Sequence, residues 1–155
     1  MECSGLNSLI IKQQVLVVGT CCFCKEENEL LFEKIDHLAI ICHDEQQAVD
    51  FYVNKLGFTI QDRHERPEKN DVLFHLNGGS FVIELFIKVT APARLTDPEA
   101  LGLRHLAFKV ADIEQAVRDL ATRGIDCESV RRDDFTGEKM TFFFDPDRLP
   151  LELHE

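Results

Sequence analysis

Short stretches of alternating or continuous apolar residues, interrupted once by a helical spacing, occur in the same order twice along this chain. In the first set, Ile35 to Cys42 is apolar and β-branched and predicts a strand. Asp44 then stands as an N-cap, Ala48, Val49, Tyr52, Val53 and Leu56 recur at helical spacing, and Gly57 ends the helix. Strands are expected over Phe58 to Arg63, Val72 to Leu76 and Phe81 to Phe86, with Asn77-Gly78-Gly79 as a hairpin turn. In the second set, Leu103 to Val110 is a strand, Asp112 caps a helix carrying Ile113, Ala116, Val117 and Leu120, and Gly124 closes it. Strands follow over Ile125 to Val130, Met140 to Phe144 and Pro150 to His154, the last two joined by a turn at Asp145-Pro146-Asp147. The order is β-α-β-β-β twice, which predicts an α+β fold of two tandem βαβββ modules. Their expected bounds are 34–89 and 103–155, with a Pro-containing linker over 90–102 and an N-terminal extension of unassigned role over 1–33.

The text repeats as well as the pattern. His37-Leu38-Ala39 recurs as His105-Leu106-Ala107, Gln47-Ala48-Val49 as Gln115-Ala116-Val117, and Glu84-Leu85 as Glu152-Leu153. Each His–Glu pair spans 47 positions (84 − 37 and 152 − 105), and the second pair is the first displaced by 68. Strand side chains alternate between faces, so Glu84 shares a face with Val82 and Phe86, and His37 with Ile35, Ala39 and Ile41. An ionised carboxylate among apolar neighbours is costly unless it is paired or coordinated. Neutral imidazole and carboxylate are ligands for divalent metals. Two copies of one unit are thus able to present His37, Glu84, His105 and Glu152 around one ion. His43, His64, His75 and His154 are read as histidines with ordinary non-catalytic partners, His75 being the one whose strand position would line a cleft.

Composition narrows the partners. A chain of 155 residues is long enough for one domain with a real core. Its net charge of −11 argues against nucleic acid and against anionic membrane surfaces. The run Val15-Leu16-Val17-Val18 is too short to span a bilayer and lacks the cleavage pattern of a signal peptide. Of six cysteines, Cys3, Cys21, Cys22 and Cys24 crowd the N-terminus and only Cys42 and Cys127 lie in the repeat, which predicts reduced thiols and a cytoplasmic protein.

The duplicated βαβββ order together with His37-Leu38-Ala39-Ile40, Phe51-Tyr52, Leu56-Gly57-Phe58, Val82-Ile83-Glu84-Leu85-Phe86, Gly102 to Phe108, and Phe144-Asp145-Pro146-Asp147 leading into Leu151-Glu152-Leu153 resembles the vicinal oxygen chelate superfamily. Within it the chain looks most like the short bacterial glyoxalase I (lactoylglutathione lyase) branch. The resemblance covers residues 34 to 155. It implies half-barrel modules forming a cleft, and homodimers. It also implies one divalent metal (Ni or Zn foremost, with Mn, Co or Fe as alternatives) held by His37, Glu84, His105 and Glu152, within one chain or across two. It implies conversion of the hemithioacetal of an α-ketoaldehyde and a thiol to a thioester through an enediolate, with Glu152 as main base and Glu84 as its counterpart. The alternatives within the superfamily are an epimerase, a ring-cleaving dioxygenase and a drug-binding protein.

Two positions depart from the glyoxalase I pattern. Ile41 stands where that branch carries an Arg contacting the thiol cofactor, and Lys88 stands where it carries an Asn. Arg132 and Lys139, around the start of the penultimate strand, are candidates to meet an anionic group of the substrate, unless they are simply solvated. Arg148 occupies the slot after Asp-Pro-Asp where relatives often carry Gly, so a left-handed turn is expected there.

Overall fold

The computed structural model describes residues 30–155. Most of the expected N-terminal extension, with its Cys21-Cys22-x-Cys24, lies outside the described residues. Residues 34–155 form one compact unit. Module one contains β1 (His37–Cys42), α1 (Glu45–Val49), a π-helical continuation (Asp50–Lys55), β2 (Thr59–Arg66), β3 (Asp71–Asn77) and β4 (Val82–Ile87). Module two contains β5 (Leu106–Lys109), α2 (Ile113–Thr122), β6 (Arg131–Arg132), β7 (Lys139–Phe144) and β8 (Pro150–His154). The two sheets have equivalent orders, β1-β4-β3-β2 and β5-β8-β7-β6. In each, the first strand pairs parallel to the last and the other pairs are antiparallel. The tandem βαβββ architecture is therefore the one expected.

Both helices start as the sequence predicts. The Asp44 carboxylate accepts from the Gln47 backbone N–H at 2.8 Å, and Asp112 accepts from that of Gln115 at 2.9 Å. Each satisfies a donor that the first helical turn leaves unpaired. Gly57 and Gly124 then end the helices at φ +86° and +71°, a left-handed conformation that glycine adopts without a Cβ penalty.

The repeat is not uniform inside, however. Asp44 and Asp112 are 68 apart (112 − 44), whereas the closing glycines are 67 apart (124 − 57). The extra residue of module one is absorbed by the π-helical turn, where the Leu56 N–H reaches back five residues to the Phe51 carbonyl at 2.9 Å. The wider turn brings the consecutive side chains Phe51 and Tyr52 both into the core. Module two recovers the residue in its last turn. Five residues separate β7 from β8 (145–149), where four separate β3 from β4 (78–81). Arg148 takes the left-handed conformation there, at φ 69°.

One expected strand does not form. Ile125 to Val130 is irregular, and regular pairing is confined to Arg131–Arg132. The Glu128 N–H does bond the Phe142 carbonyl at 2.8 Å. The Glu128 carbonyl, however, accepts from the Thr141 hydroxyl at 2.8 Å rather than from a neighbouring strand. A side-chain donor thus replaces a ladder bond.

A common core unites the modules. Ile40, Phe74, Leu76, Ile83 and Leu85 of sheet one, with Phe143, Leu151 and Leu153 of sheet two, cluster with Tyr52, Ile113 and Leu120 of the helical segments. The turn of module two is tied into module one. The Tyr52 hydroxyl donates to the buried Asp145 carboxylate at 2.9 Å, and the Asp147 carboxylate accepts from the His43 N–H at 3.0 Å. Asp145 also accepts from the Leu149 N–H at 2.7 Å. Burial holds its pKa above the ordinary carboxylate value despite these donors.

Candidate functional site

Alternation along the strands sends the chemistry to the faces away from this core. On sheet one, Glu84 lies opposite His75 and Ala39, while its neighbours Ile83 and Leu85 point into the core. His37, two residues before Ala39, shares that open face. On sheet two, Glu152 lies opposite Phe142 and Ala107, with Leu151 and Leu153 turned inward and His105 two residues before Ala107. His37 Nε2 stands 3.5 Å from a Glu84 carboxylate oxygen, and His105 Nε2 stands 2.9 Å from one of Glu152.

This spacing fits a divalent ion. Two donors about 2.0–2.2 Å from a metal sit roughly 3.0 Å apart at a right angle and roughly 3.4 Å apart at the tetrahedral angle. The second-sphere arrangement fits too. Asp36 holds His37 Nδ1 at 2.9 Å, which leaves Nε2 facing Glu84. That hydrogen bond, followed by the Glu84 charge, raises the His37 pKa. Among the described residues the two pairs do not gather with one another into a group of three or more donors. The chain thus presents two half-sites, one per module.

The half-sites differ in what surrounds them. Beside Glu84, His75 Nε2 lies 3.3 Å from the carboxylate, His75 Nδ1 is bonded to Asp62, and His64 Nε2 lies 3.0 Å from the same Asp62 oxygen. The Asp62 hydrogen bond raises the His75 pKa, and His75 in turn lowers that of Asp62. A polar chain therefore runs from Asp36 through His37, Glu84, His75 and Asp62 to His64. On sheet two the position opposite Glu152 is Phe142, whose ring packs edge-on against His105 with centroids 5.4 Å apart. The Arg131 guanidinium lies 5.2 Å from the Phe142 ring centre. A cavity of about 570 Å³ opens beside His105, bordered by Arg94, Arg104, Arg131, Arg148, Phe142 and Phe144 among others.

A sequence model described as the Glyoxalase/Bleomycin resistance protein/Dioxygenase superfamily matches residues 34–153. The chain belongs to that superfamily. It is 49% identical over 127 residues to the uncharacterized protein YwkD of Bacillus subtilis (strain 168), across 81% of this chain and 99% of that protein. The crystal structure of the glyoxalase family protein from Enterococcus faecalis superposes with a TM-score of 0.80 at 55% identity, covering 81% of this chain and 100% of that one. The trypanothione-dependent glyoxalase I of Leishmania major shares the fold, with a TM-score of 0.61 at 24% identity, over 80% of this chain and 87% of that one.

As a member of this superfamily, the chain carries its two expected anion contacts elsewhere. Arg132 pairs with Lys139 across β6 and β7, on the opposite face from Arg131 and Phe142. Arg132 donates to the Gly137 carbonyl at 2.7 Å. Lys139 is neutralised by Glu114 at 2.6 Å and Glu155 at 3.6 Å, within one of the two three-donor groups among the described residues, Asp112-Glu114-Glu155. The other group is Asp62-His64-His75. Neither Arg132 nor Lys139 borders the cavity beside His105; Arg131 does. Ile41, the position without the glyoxalase I arginine, is exposed on the open face of β1. His75 does line the open face of sheet one, as its strand position suggests. The residue that the sequence did not single out is Arg131, one residue from Arg132 and therefore on the other face of the strand. Cys42 is buried and burial pushes its thiol pKa up, so it is no nucleophile. Among the described residues no helix is long and apolar enough to cross a membrane.

Proposed function

We propose that this protein is a metal-dependent isomerase of the glyoxalase I type. It would convert the hemithioacetal of an α-ketoaldehyde and a thiol into a thioester, and act as a homodimer. The observation that carries the reading is the pair of half-sites, each with an imidazole and a carboxylate already at the spacing of adjacent metal ligands. His37 and Glu84 of one copy, with His105 and Glu152 of a second, would hold one ion, Ni or Zn foremost. A bound divalent cation supplies Lewis-acid charge where negative charge develops on substrate oxygens.

The chain's own groups then move the proton. The Glu152 carboxylate takes the proton from the sulfur-bearing carbon and returns it to the adjacent carbonyl carbon, while the hydroxyl proton of the first carbon passes to the carbonyl oxygen of the second, so atoms and electrons are conserved. Glu152 is buried, and the His105 imidazole beside it fixes one of its oxygens. Glu84 is its counterpart on the other half, steadied through His75.

Mixing two inactive variants tests the shared site. His37→Ala and His105→Ala homodimers are each expected to lack metal and turnover with the methylglyoxal–glutathione hemithioacetal. A random mixture forms heterodimers with one intact site, so about a quarter of wild-type activity should return. No recovery on mixing, with both variants folded, would show that each site lies within one chain. Failure of metal-loaded wild type to form thioester would shift the reading to another substrate.

A further inference from the structure

We propose that the cavity beside His105 is a recognition subsite for an oxyanion, a carboxylate or a phosphate, carried on the part of the substrate remote from the reacting carbons. This deepens the reading above, since it takes His105 and Glu152 as the reacting end. Four guanidinium groups border the cavity, against two carboxylates, Glu99 paired with Arg104 at 2.9 Å and Glu128 paired with Arg131 at 3.1 Å, which leaves an excess of two positive charges. That is a concentration of positive charge on a chain whose net charge is −11. Long-range attraction by the whole protein opposes an anion here, so local charge must draw it in.

The arginines are held in place rather than loosely solvated. Arg94 donates to the carbonyls of Leu103 and Arg104, which fixes it at the mouth of β5. Arg131 lies over the ring of Phe142 and Arg148 lies 4.3 Å from the ring centre of Phe144. Stacking on an aromatic face leaves the planar N–H edge of Arg148 free to form paired hydrogen bonds to an oxyanion, while Arg131 keeps donors beyond the one that Glu128 takes at 3.1 Å. Phe142 and Phe144 alternate along β7 on the face of Glu152 and His105, so the cavity and the half-site share one floor. Arg148 is set apart in two ways. Its backbone is left-handed, at φ 69°, a conformation that suits glycine, and among the described residues its guanidinium has no carboxylate partner. A strained backbone that displays an unpaired charge over a cavity is the feature that most directly points to a ligand.

The first test is binding, without turnover. Calorimetric titration of the full-length protein with inorganic phosphate and, separately, succinate is expected to show saturable binding of at least one. Arg131→Met, which keeps the contact with Phe142, and Arg148→Gly, which suits the left-handed backbone, should each weaken it about tenfold, with an unchanged melting temperature or a higher one for Arg148→Gly. The two titrants distinguish a carboxylate site from a phosphate site. The second test compares hemithioacetals of methylglyoxal with mercaptoethanol and with mercaptopropionate. The wild type should prefer the anionic tail, and both variants should lose that preference while keeping turnover of the neutral one. Equal binding and unchanged preference in both variants would overturn the subsite and leave the isomerase reading standing. Arginine-dependent anion binding without turnover of either adduct would keep the subsite and sink the isomerase.

Discussion

The two modules hold the same donor pair in the same register and surround it with opposite chemistry. At equivalent strand positions, His75 and His64 of module one correspond to Phe142 and Arg131 of module two. Glu84 therefore sits within a chain of hydrogen-bonded polar side chains, whereas Glu152 sits against an aromatic ring with arginines beyond it. The arginine that stacks on Phe86 in module one is paired bidentately with Asp71, whereas Arg131 on Phe142 pairs with Glu128 through one nitrogen and Arg148 on Phe144 has no carboxylate partner among the described residues. Duplication preserved one His–Glu pair in each half, in the same register. The flanking positions have diverged into a chain of polar side chains in module one and an aromatic, arginine-rimmed surface in module two.

The largest effect should come from the carboxylates. Glu152→Gln is expected to lower kcat by about 10²–10⁴-fold, and Glu84→Gln by less, measured at saturating metal with metal content checked by elemental analysis. A larger loss at Glu84 would reverse the roles of the two halves. Next, His75→Phe makes module one resemble module two. It should weaken metal affinity or activity by about 10–100-fold, whereas Phe142→His should not improve either. Equal behaviour of the two swaps would dissolve the distinction between the modules.

Smaller effects concern stability. Tyr52→Phe removes a donor from buried Asp145, a junction that module two's turn makes with module one. A cost of about 1–3 kcal/mol is expected by urea denaturation. Arg148→Gly should recover about 1 kcal/mol, by relieving the left-handed residue.

The smallest effect is a pH dependence. His75 has its pKa raised in the fold, so its pairing with Asp62 is present below the ordinary imidazole range and fades as pH rises through the raised value. Asp62 has its pKa lowered, so the same pairing fades as pH falls through the depressed value. Asp62→Asn should remove a contribution confined to the window between them, read as a flatter melting temperature against pH in metal-free protein.

Much of the fold was legible in the chain. Period-two and helical patterns, Asp caps and closing glycines marked the elements, because these signals are local and each follows from backbone geometry. β8 begins and ends where expected, at Pro150 and His154. Ile125 to Val130 forms no strand despite its alternating apolar and polar residues, because that pattern does not reveal that Thr141 takes the Glu128 carbonyl.

The two His–Glu pairs were legible too, yet the even spacing of 47 conceals two changes that cancel. An inserted residue widens the helix of module one, and another lengthens the last turn of module two. A constant shift of 68 would align His75 with Phe143, whereas the register aligns it with Phe142 (142 − 75 = 67). Because neighbouring residues on a strand face opposite ways, that single step decides whether a side chain reaches the site or the core. The same step separates Arg131 from Arg132.

The amino-acid sequence by itself determined the duplicated architecture and the two His–Glu pairs, since periodicity and residue chemistry are written along the chain. The tertiary structure decided that the two pairs lie apart, that His75 joins Glu84, and that arginines gather beside His105. Those are matters of register and of which strand edges meet, and they arise from hydrogen bonds between residues far apart in the chain.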